Sequence, residues 1–205
     1  GSSSGSGGSS GSGSGVTSGS GGSSGSSGAP ADAGLADSTV GPGSGCSTAN
    51  CPVVVLYMTS DARMPVGQQI AFKVQVFNQS VLTGALDLST VTMRYWFLAN
   101  GSKNLAFNCD YAMLGCANLT GTFTSMATPT ANADTYLEVS FKSGTLNSQS
   151  PSGDIQIRLT DKSYSVTFDE TKHWSFDATK MTTYAAWNHI TLYKAGALVW
   201  GTEPQ

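Results

Sequence analysis

The first 45 residues of this 205-residue chain contain no aromatic side chain and only two charged ones, Asp32 and Asp37. They consist almost entirely of glycine, serine and other small residues. Such a segment cannot bury enough apolar surface to offset the conformational entropy that is lost when it becomes ordered. We therefore expect residues 1–45 to form a disordered, flexible linker and residues 46–205 to form one folded domain.

The chain also lacks an excess of charge, because 13 acidic residues accompany 10 basic ones and the formal net charge is −3. A surface this balanced lacks the positive field with which proteins bind nucleic acids or anionic membranes. No apolar run approaches the roughly 20 residues of a membrane-spanning helix. We therefore expect neither a nucleic-acid nor a membrane partner, and a neutral ligand such as an uncharged polysaccharide fits better.

The residue patterns of common catalytic sites are missing as well. The two histidines, His173 and His189, have no G-x-S-x-G motif near them, and no glycine-rich phosphate loop occurs outside the linker. Glycoside cleavage needs two carboxylates about 5–10 Å apart in a cleft. Glu138 is predicted on the outer face of a strand, Glu170 in a charged loop and Glu203 near the C-terminus. None has an evident partner, so the sequence predicts a non-catalytic chain.

Four cysteines occur as two close pairs, Cys46 with Cys51 and Cys109 with Cys116. This spacing favours two small disulfide-closed loops, although four cysteines allow three pairings and free buried thiols also fit. A metal site fits poorly, because neither pair has C-x-x-C spacing and only two histidines are present. Disulfides indicate an oxidising compartment, and a start at Gly1 rather than at methionine indicates the C-terminal part of a longer secreted protein.

Beyond Cys51 the hydrophobic pattern is that of β-strands, and no segment has a convincing helical period. Apolar and polar residues alternate, as half-buried strands require, in four segments: 69–77, 91–98, 135–141 and 154–160. Asn100-Gly101 and Ala195-Gly196 have the composition of tight hairpin turns. Many short strands between glycine, proline, asparagine and serine predict an all-β fold of two antiparallel sheets packed face to face.

Three blocks, Ala85 to Trp96, Asn132 to Leu146 and Ala197 to Pro204, resemble the family-3 carbohydrate-binding modules of cellulases and cellulosomal scaffolding proteins. The resemblance implies an antiparallel β-sandwich with jelly-roll topology and about nine strands. It also implies a secreted, extracellular and monomeric module that binds cellulose or a related β-glucan. In that role it targets a linked catalytic or scaffold domain, located upstream, to the polysaccharide.

The residues around Arg158 are similar to the binding strand of that family. The alternation leaves Gln156 and Arg158 on the outer face, and Tyr164 follows Arg158 after six positions. At this spacing the family places an arginine and an aromatic on a flat cellulose-contacting strip, with a glutamine as polar anchor. Asp110 and Tyr111 resemble the acid that pairs with the arginine and the ring beside it. We therefore predict a substrate-binding strip of Tyr111, Asp110, Arg158 and Tyr164, with Gln156 as the anchor.

The sequence departs from the family at two places near this strip. The segment 112–120 is shorter than the usual loop and holds no aromatic, and Val66 stands where some members carry a polar anchor. These departures predict weaker attachment than that of the strongest crystalline-cellulose binders. A second interpretation is an accessory module, packed on a catalytic domain, that guides single glucan chains with little affinity of its own. A third is a structural module of a cell-wall or matrix protein.

Many members of the family also hold a structural calcium ion. The positions that resemble its ligands are Asn100, Lys172 and His173, and a lysine ammonium repels a cation that requires several oxygen ligands. Asp169 is the one carboxylate that remains nearby. We therefore expect no cofactor and no bound calcium, with the second cysteine pair and the lysine charge taking over the stabilising role.

Overall fold

In the computed structural model, residues 45–48, 50–82 and 84–205 are described, and they contain β-strands and short 3₁₀-helices but no α-helix. No helix within these ranges has the length and apolar character needed to span a membrane. The predicted linker lies outside the described residues except for Gly45, whose N–H donates to Gly201 O at 2.7 Å. The extent of the linker therefore stays a prediction.

Fifteen strands occur in the described residues, and nine of them have four or more residues, in agreement with the expected number. In chain order they are β1 (Val53–Thr59), β2 (Val66–Gly67), β3 (Gln69–Asn78), β4 (Leu86–Asp87), β5 (Val91–Phe97), β6 (Leu105–Ala112), β7 (Leu119–Ser125), β8 (Thr135–Phe141), β9 (Thr145–Leu146), β10 (Ser150–Pro151), β11 (Ile155–Asp161), β12 (Phe168–Asp169), β13 (Ala185–Ala186), β14 (Ile190–Lys194) and β15 (Ala197–Trp200). The 3₁₀-helices are Leu88–Thr90, Cys116–Asn118 and Glu170–Lys172.

Two antiparallel sheets form the sandwich. The six-stranded sheet has the order β13-β1-β3-β11-β6, with β10 also paired to β3, and the five-stranded sheet has the order β15-β14-β5-β8-β7. The short strands β2 and β12 pair with each other, as do β4 and β9. The predicted all-β antiparallel sandwich is therefore confirmed.

The core lies between the two sheets and is built by the alternation seen in the sequence. On β3 the alternate residues Ile70, Phe72, Val74 and Val76 are buried, as predicted, and β5 buries its own alternate set in the same way. Across the interface Phe72 of β3 stacks on Tyr95 of β5, with ring centroids 4.2 Å apart. Full burial of each such side chain stabilises the fold by about 1.5–3 kcal/mol.

Both predicted tight turns form, with positive φ at both central residues of each: 51° at Asn100, 78° at Gly101, 49° at Ala195 and 82° at Gly196. Ala195-Gly196 joins β14 and β15, which pair with each other as expected for a hairpin. Asn100-Gly101 instead connects β5 with β6, which belong to different sheets. The hairpin predicted there is wrong, because turn composition fixes only the local backbone and burial of the apolar strand faces decides the strand partners.

Glu170 is buried, and the prediction that it lies in a charged loop is wrong. It begins the 3₁₀-helix Glu170–Lys172, it is 1% exposed, and its N–H donates to Pro65 O at 2.8 Å. Burial raises the pKa of Glu170 to about 9, and the neighbouring carboxyl group of Asp61 adds to the shift. Glu170 is therefore a neutral acid inside the fold at pH 7.

The replacement Glu170→Gln tests this assignment. Because the folded-state pKa lies above the ordinary value of 4.5, the stability that protonated Glu170 contributes is fully present below about pH 4.5 and is lost progressively up to about pH 9. We expect the melting temperature of E170Q to rise relative to that of the wild type as the pH increases over this range. Circular-dichroism melts at a series of pH values measure the difference in melting temperature between the variant and the wild type. E138Q, in which a partly exposed carboxylate is changed, is the control. A difference that does not vary with pH would contradict the assignment.

Candidate functional site

Four of the five predicted site residues lie on the outer face of the six-stranded sheet, on the neighbouring strands β6 (Asp110 and Tyr111) and β11 (Gln156 and Arg158). Tyr111 is paired directly with Gln156, whereas the next pair along the two strands joins Cys109 to Ile157. One residue of β6, Asp110, thus has no partner of its own on β11. It is the extra residue of a β-bulge.

The bulge allows two consecutive side chains to face solvent together. In a regular strand Asp110 and Tyr111 would point to opposite faces of the sheet. Here both residues are exposed, and Tyr111 keeps 48% of its surface accessible, while the following Ala112 is buried. The bulge therefore brings the carboxylate and the ring to the same side of the sheet as Arg158.

Asp110 and Arg158 form a two-bond ion pair. Arg158 Nε donates to Asp110 Oδ2 at 3.0 Å, and Nη2 donates to Oδ1 at 2.8 Å. The pKa of Arg158 is raised, mainly by this hydrogen bonding to Asp110, with the charge of Asp110 and the nearby phenol of Tyr164 as further causes. Two parallel bonds hold the guanidinium plane in a fixed orientation. The side chains of Arg158 and Asp110 remain 33% and 42% exposed, so the pair is accessible to a ligand.

Tyr164 lies in the turn that follows β11 and not on a strand. Its φ of 52° falls in the left-handed region, which residues other than glycine rarely adopt. Its N–H donates to Asp161 O at 2.9 Å, and its carbonyl accepts from Gln68 Nε2. The side chain is 54% exposed. The turn therefore presents an accessible ring near Arg158.

Two exposed methionines that the sequence analysis missed border these tyrosines. Met64 is 80% exposed and lines a shallow cleft together with Val66 and Tyr164. Met113 is 67% exposed and follows Tyr111 after one residue, in the segment that lacks an aromatic. Single methionines in loops have no periodicity, so nothing in the sequence marked them.

Both expected disulfides are present. Cys46 is bonded to Cys51, Cys109 is bonded to Cys116, and no described cysteine is free. The second disulfide joins β6 to the 3₁₀-helix Cys116–Asn118 and closes a loop that contains Asp110 and Tyr111. It therefore restrains the end of β6 that carries the bulge.

The positions that resemble the family's calcium ligands do not form a suitable set of oxygen ligands. Asn100 Nδ2 donates to Thr167 O at 2.8 Å, Lys172 Nζ lies 3.1 Å from Asp169 Oδ2, and His173 is buried. Calcium requires several oxygen ligands, and the ammonium group already occupies the one carboxylate here. In the part of the chain that the structure describes, no group of three or more His, Cys, Asp or Glu is arranged to hold a metal. The absence of bound calcium stays a prediction.

Comparison with known proteins identifies the family of this chain. A family described as a cellulose binding domain matches residues 55–201. The chain belongs to the family-3 carbohydrate-binding modules. Endoglucanase A of Paenibacillus lautus is 36% identical to it over 157 residues, which are 76% of this chain and 22% of that protein. Cellulosomal-scaffolding protein A of Acetivibrio thermocellus is 37% identical over 133 residues, which are 60% of this chain and 7% of the scaffolding protein.

Solved structures of family-3 modules have the same architecture. A module of the major scaffoldin of Acetivibrio cellulolyticus matches with a TM-score of 0.69 and 31% identity, over 75% of this chain and 97% of that one. A module of cellobiohydrolase 9A from Clostridium thermocellum matches with a TM-score of 0.67 and 29% identity, over 75% and 99% of the two chains. Like other family-3 modules, this chain is a non-catalytic carbohydrate-binding module, as the sequence predicts.

The exposed ion pair of this module should contribute little to its stability. Accessible ion pairs stabilise proteins by about 0–1 kcal/mol. We expect Asp110→Asn and Arg158→Ala each to change the free energy of unfolding by less than about 1 kcal/mol in urea titrations. Ile157→Ala, which removes a buried side chain of the same strand, is the control and should cost about 2–5 kcal/mol. A loss of that size in R158A would instead indicate a structural role for the pair.

Proposed function

We propose that this module binds cellulose through a flat strip composed of Tyr111, the Asp110–Arg158 pair and Tyr164, with Gln156 as a polar anchor. The observation that carries the proposal is the exposed two-bond ion pair, together with two half-exposed tyrosines: Tyr111 follows Asp110 directly, and Tyr164 is near enough to Arg158 to raise its pKa. Such a row combines planar groups with almost no net charge. It fits an extended neutral polymer better than a compact or charged ligand.

Cellulose suits this row because its glucose units present an apolar face of C–H groups at regular intervals. A tyrosine ring that covers about 80 Å² of this face gains about 2 kcal/mol at roughly 25 cal/mol per Å². The guanidinium of Arg158, held flat by Asp110, adds a third planar contact that a lysine ammonium does not supply. Gln156 is paired with Tyr111 across the strands, so its amide reaches hydroxyl groups next to the stacked ring.

We further propose that the module belongs to a secreted protein, in which residues 1–45 link it to a glycoside hydrolase or a scaffold domain. Relatives named endoglucanase, exoglucanase and cellulosomal scaffolding protein support this role, since the matching region is a small part of each. Attachment to the polysaccharide would raise the effective concentration of a linked enzyme at its substrate. The module itself is proposed to act as a monomer.

Removing the two rings tests the strip. In the full 205-residue chain, Tyr111→Ala and Tyr164→Ala should each weaken binding to microcrystalline cellulose by about 1–2 kcal/mol, because each removes one stacked ring. Depletion isotherms measure the affinity, and circular dichroism checks the fold. Leu82→Ala, which changes a residue that is 83% exposed and lies outside the strip, is the control. If a variant that carries both Tyr111→Ala and Tyr164→Ala were retained on cellulose as well as the wild type, the strip would be rejected. If the wild type itself were not retained, the accessory-module interpretation would be favoured.

Replacement of Arg158 separates planarity from charge. Arg158→Lys keeps the positive charge but removes the two parallel bonds and the flat guanidinium. We expect R158K to lose about as much cellulose affinity as R158A, with both variants folded as the wild type. The same isotherms measure it. If R158K bound like the wild type while R158A did not, charge rather than planar contact would account for the role of Arg158.

A further inference from the structure

Asp161, the last residue of β11, is buried next to the proposed strip and is not one of its contact residues. It is 2% exposed. Its Oδ1 accepts from the Ser102 hydroxyl at 2.6 Å, and its Oδ2 accepts from the Ser163 N–H at 3.0 Å. The Ser163 hydroxyl also donates to Oδ2, and the N–H and hydroxyl of Ser165 lie 3.4 Å from the same oxygen.

Three consecutive backbone N–H groups therefore converge on this one residue. The side chain of Asp161 accepts from Ser163 and Ser165, and its main-chain carbonyl accepts from Tyr164, which lies between them. Consecutive N–H groups can reach acceptors on a single residue only when the backbone adopts a tight concave turn. The carboxylate thus stabilises the conformation in which Tyr164 is held.

That conformation needs such support because the φ of Tyr164 is 52°. A side chain with a Cβ atom is disfavoured there relative to extended backbone, so without its partners the turn would relax to other conformations. The direction of the Tyr164 ring depends on this backbone, since the Cα–Cβ bond rotates with φ. Relaxation of the turn would therefore move the ring away from Arg158.

The turn is also tied to its surroundings through the same residue. Ser102, which contacts Asp161, lies in the connection between β5 and β6, and the N–H of Lys162 donates to Asn104 O in that connection at 2.9 Å. Hydrogen bonds from Ser102 and Ser163 lower the pKa of Asp161 to about 2. The carboxylate is therefore ionised, and able to accept from all its donors, throughout the neutral and mildly acidic range.

We infer that Asp161 is a positioning residue for carbohydrate binding: it fixes the left-handed turn that presents the Tyr164 ring beside Arg158. The inference rests on the proposed strip. Asp161 is too buried to touch a polysaccharide surface and acts through Tyr164.

A double-mutant cycle tests the inference on the full chain. Asp161→Ala is measured in the wild type and in Tyr164→Ala by depletion isotherms on microcrystalline cellulose. In the wild type we expect D161A to weaken binding roughly three- to tenfold, since a misplaced ring loses its stacking contact. In the Y164A background the same change should alter affinity less than about twofold, because the ring through which Asp161 acts is already absent.

Two further variants control the cycle. Asp161→Asn keeps a carbonyl oxygen that accepts from Ser163 and should lose less affinity than D161A, which also keeps the test usable if D161A folds poorly. Asp87→Ala removes the same arrangement elsewhere, since Asp87 Oδ1 accepts from the Ser89 N–H at 2.9 Å and from its hydroxyl at 2.8 Å. D87A should leave cellulose affinity unchanged.

The amide chemical shift and backbone coupling of Tyr164, measured by NMR in D161A and in the wild type, give a readout that is independent of cellulose.

The outcomes separate the inference from the strip proposal. A Tyr164→Ala variant that binds like the wild type rejects the strip. If Y164A binds weakly but D161A binds like the wild type, the strip stands and the role of Asp161 is overturned. Equal losses from D161A in both backgrounds, or an unchanged Tyr164 amide signal in D161A, would also overturn it.

Discussion

Alternation of side chains along β11 is the constraint on which the proposed binding face depends. Because Ile155, Ile157 and Leu159 fill the core between the sheets, Gln156 and Arg158 must face solvent. A shift of the β11 register by one residue would expose the isoleucines and bury the arginine. Burial of this charge without a partner would cost more free energy than the fold can lose. The core thus fixes which residues of this strand are available to a ligand.

Two departures from regular strand geometry complete the face. The bulge at Asp110 places a carboxylate beside Arg158, and the left-handed turn at Tyr164 adds a ring beyond the end of β11. Neither conformation is favourable in isolation, and each is held by specific contacts. The disulfide between Cys109 and Cys116 closes the loop that contains the bulge, whereas Asp161 accepts hydrogen bonds from the N–H groups of the turn.

Two acids of the molecule, Asp110 and Glu170, avoid an uncompensated charge in different ways. On the surface Asp110 neutralises Arg158, so the proposed strip is polar but has little net charge. Inside the fold Glu170 stays protonated at pH 7 because burial raises its pKa, so no charge is buried there. A neutral outer face is compatible with an uncharged glucan, and a neutral interior acid is compatible with a tightly packed sandwich.

The sequence by itself determined the strands, the buried faces and family membership, because period-two alternation and turn composition are local properties, whereas the spacing of the four cysteines only favoured the pairing that the structure contains. It also marked every residue of the proposed strip, although only through a family resemblance. Tertiary structure alone decided that the strands flanking Asn100-Gly101 separate into different sheets, that Glu170 is buried, and that Asp110 bulges. It also decided that Asp161 holds the turn of Tyr164. These features depend on strand partners and on burial, which arise when distant segments pack together and have no signature in a short stretch of sequence.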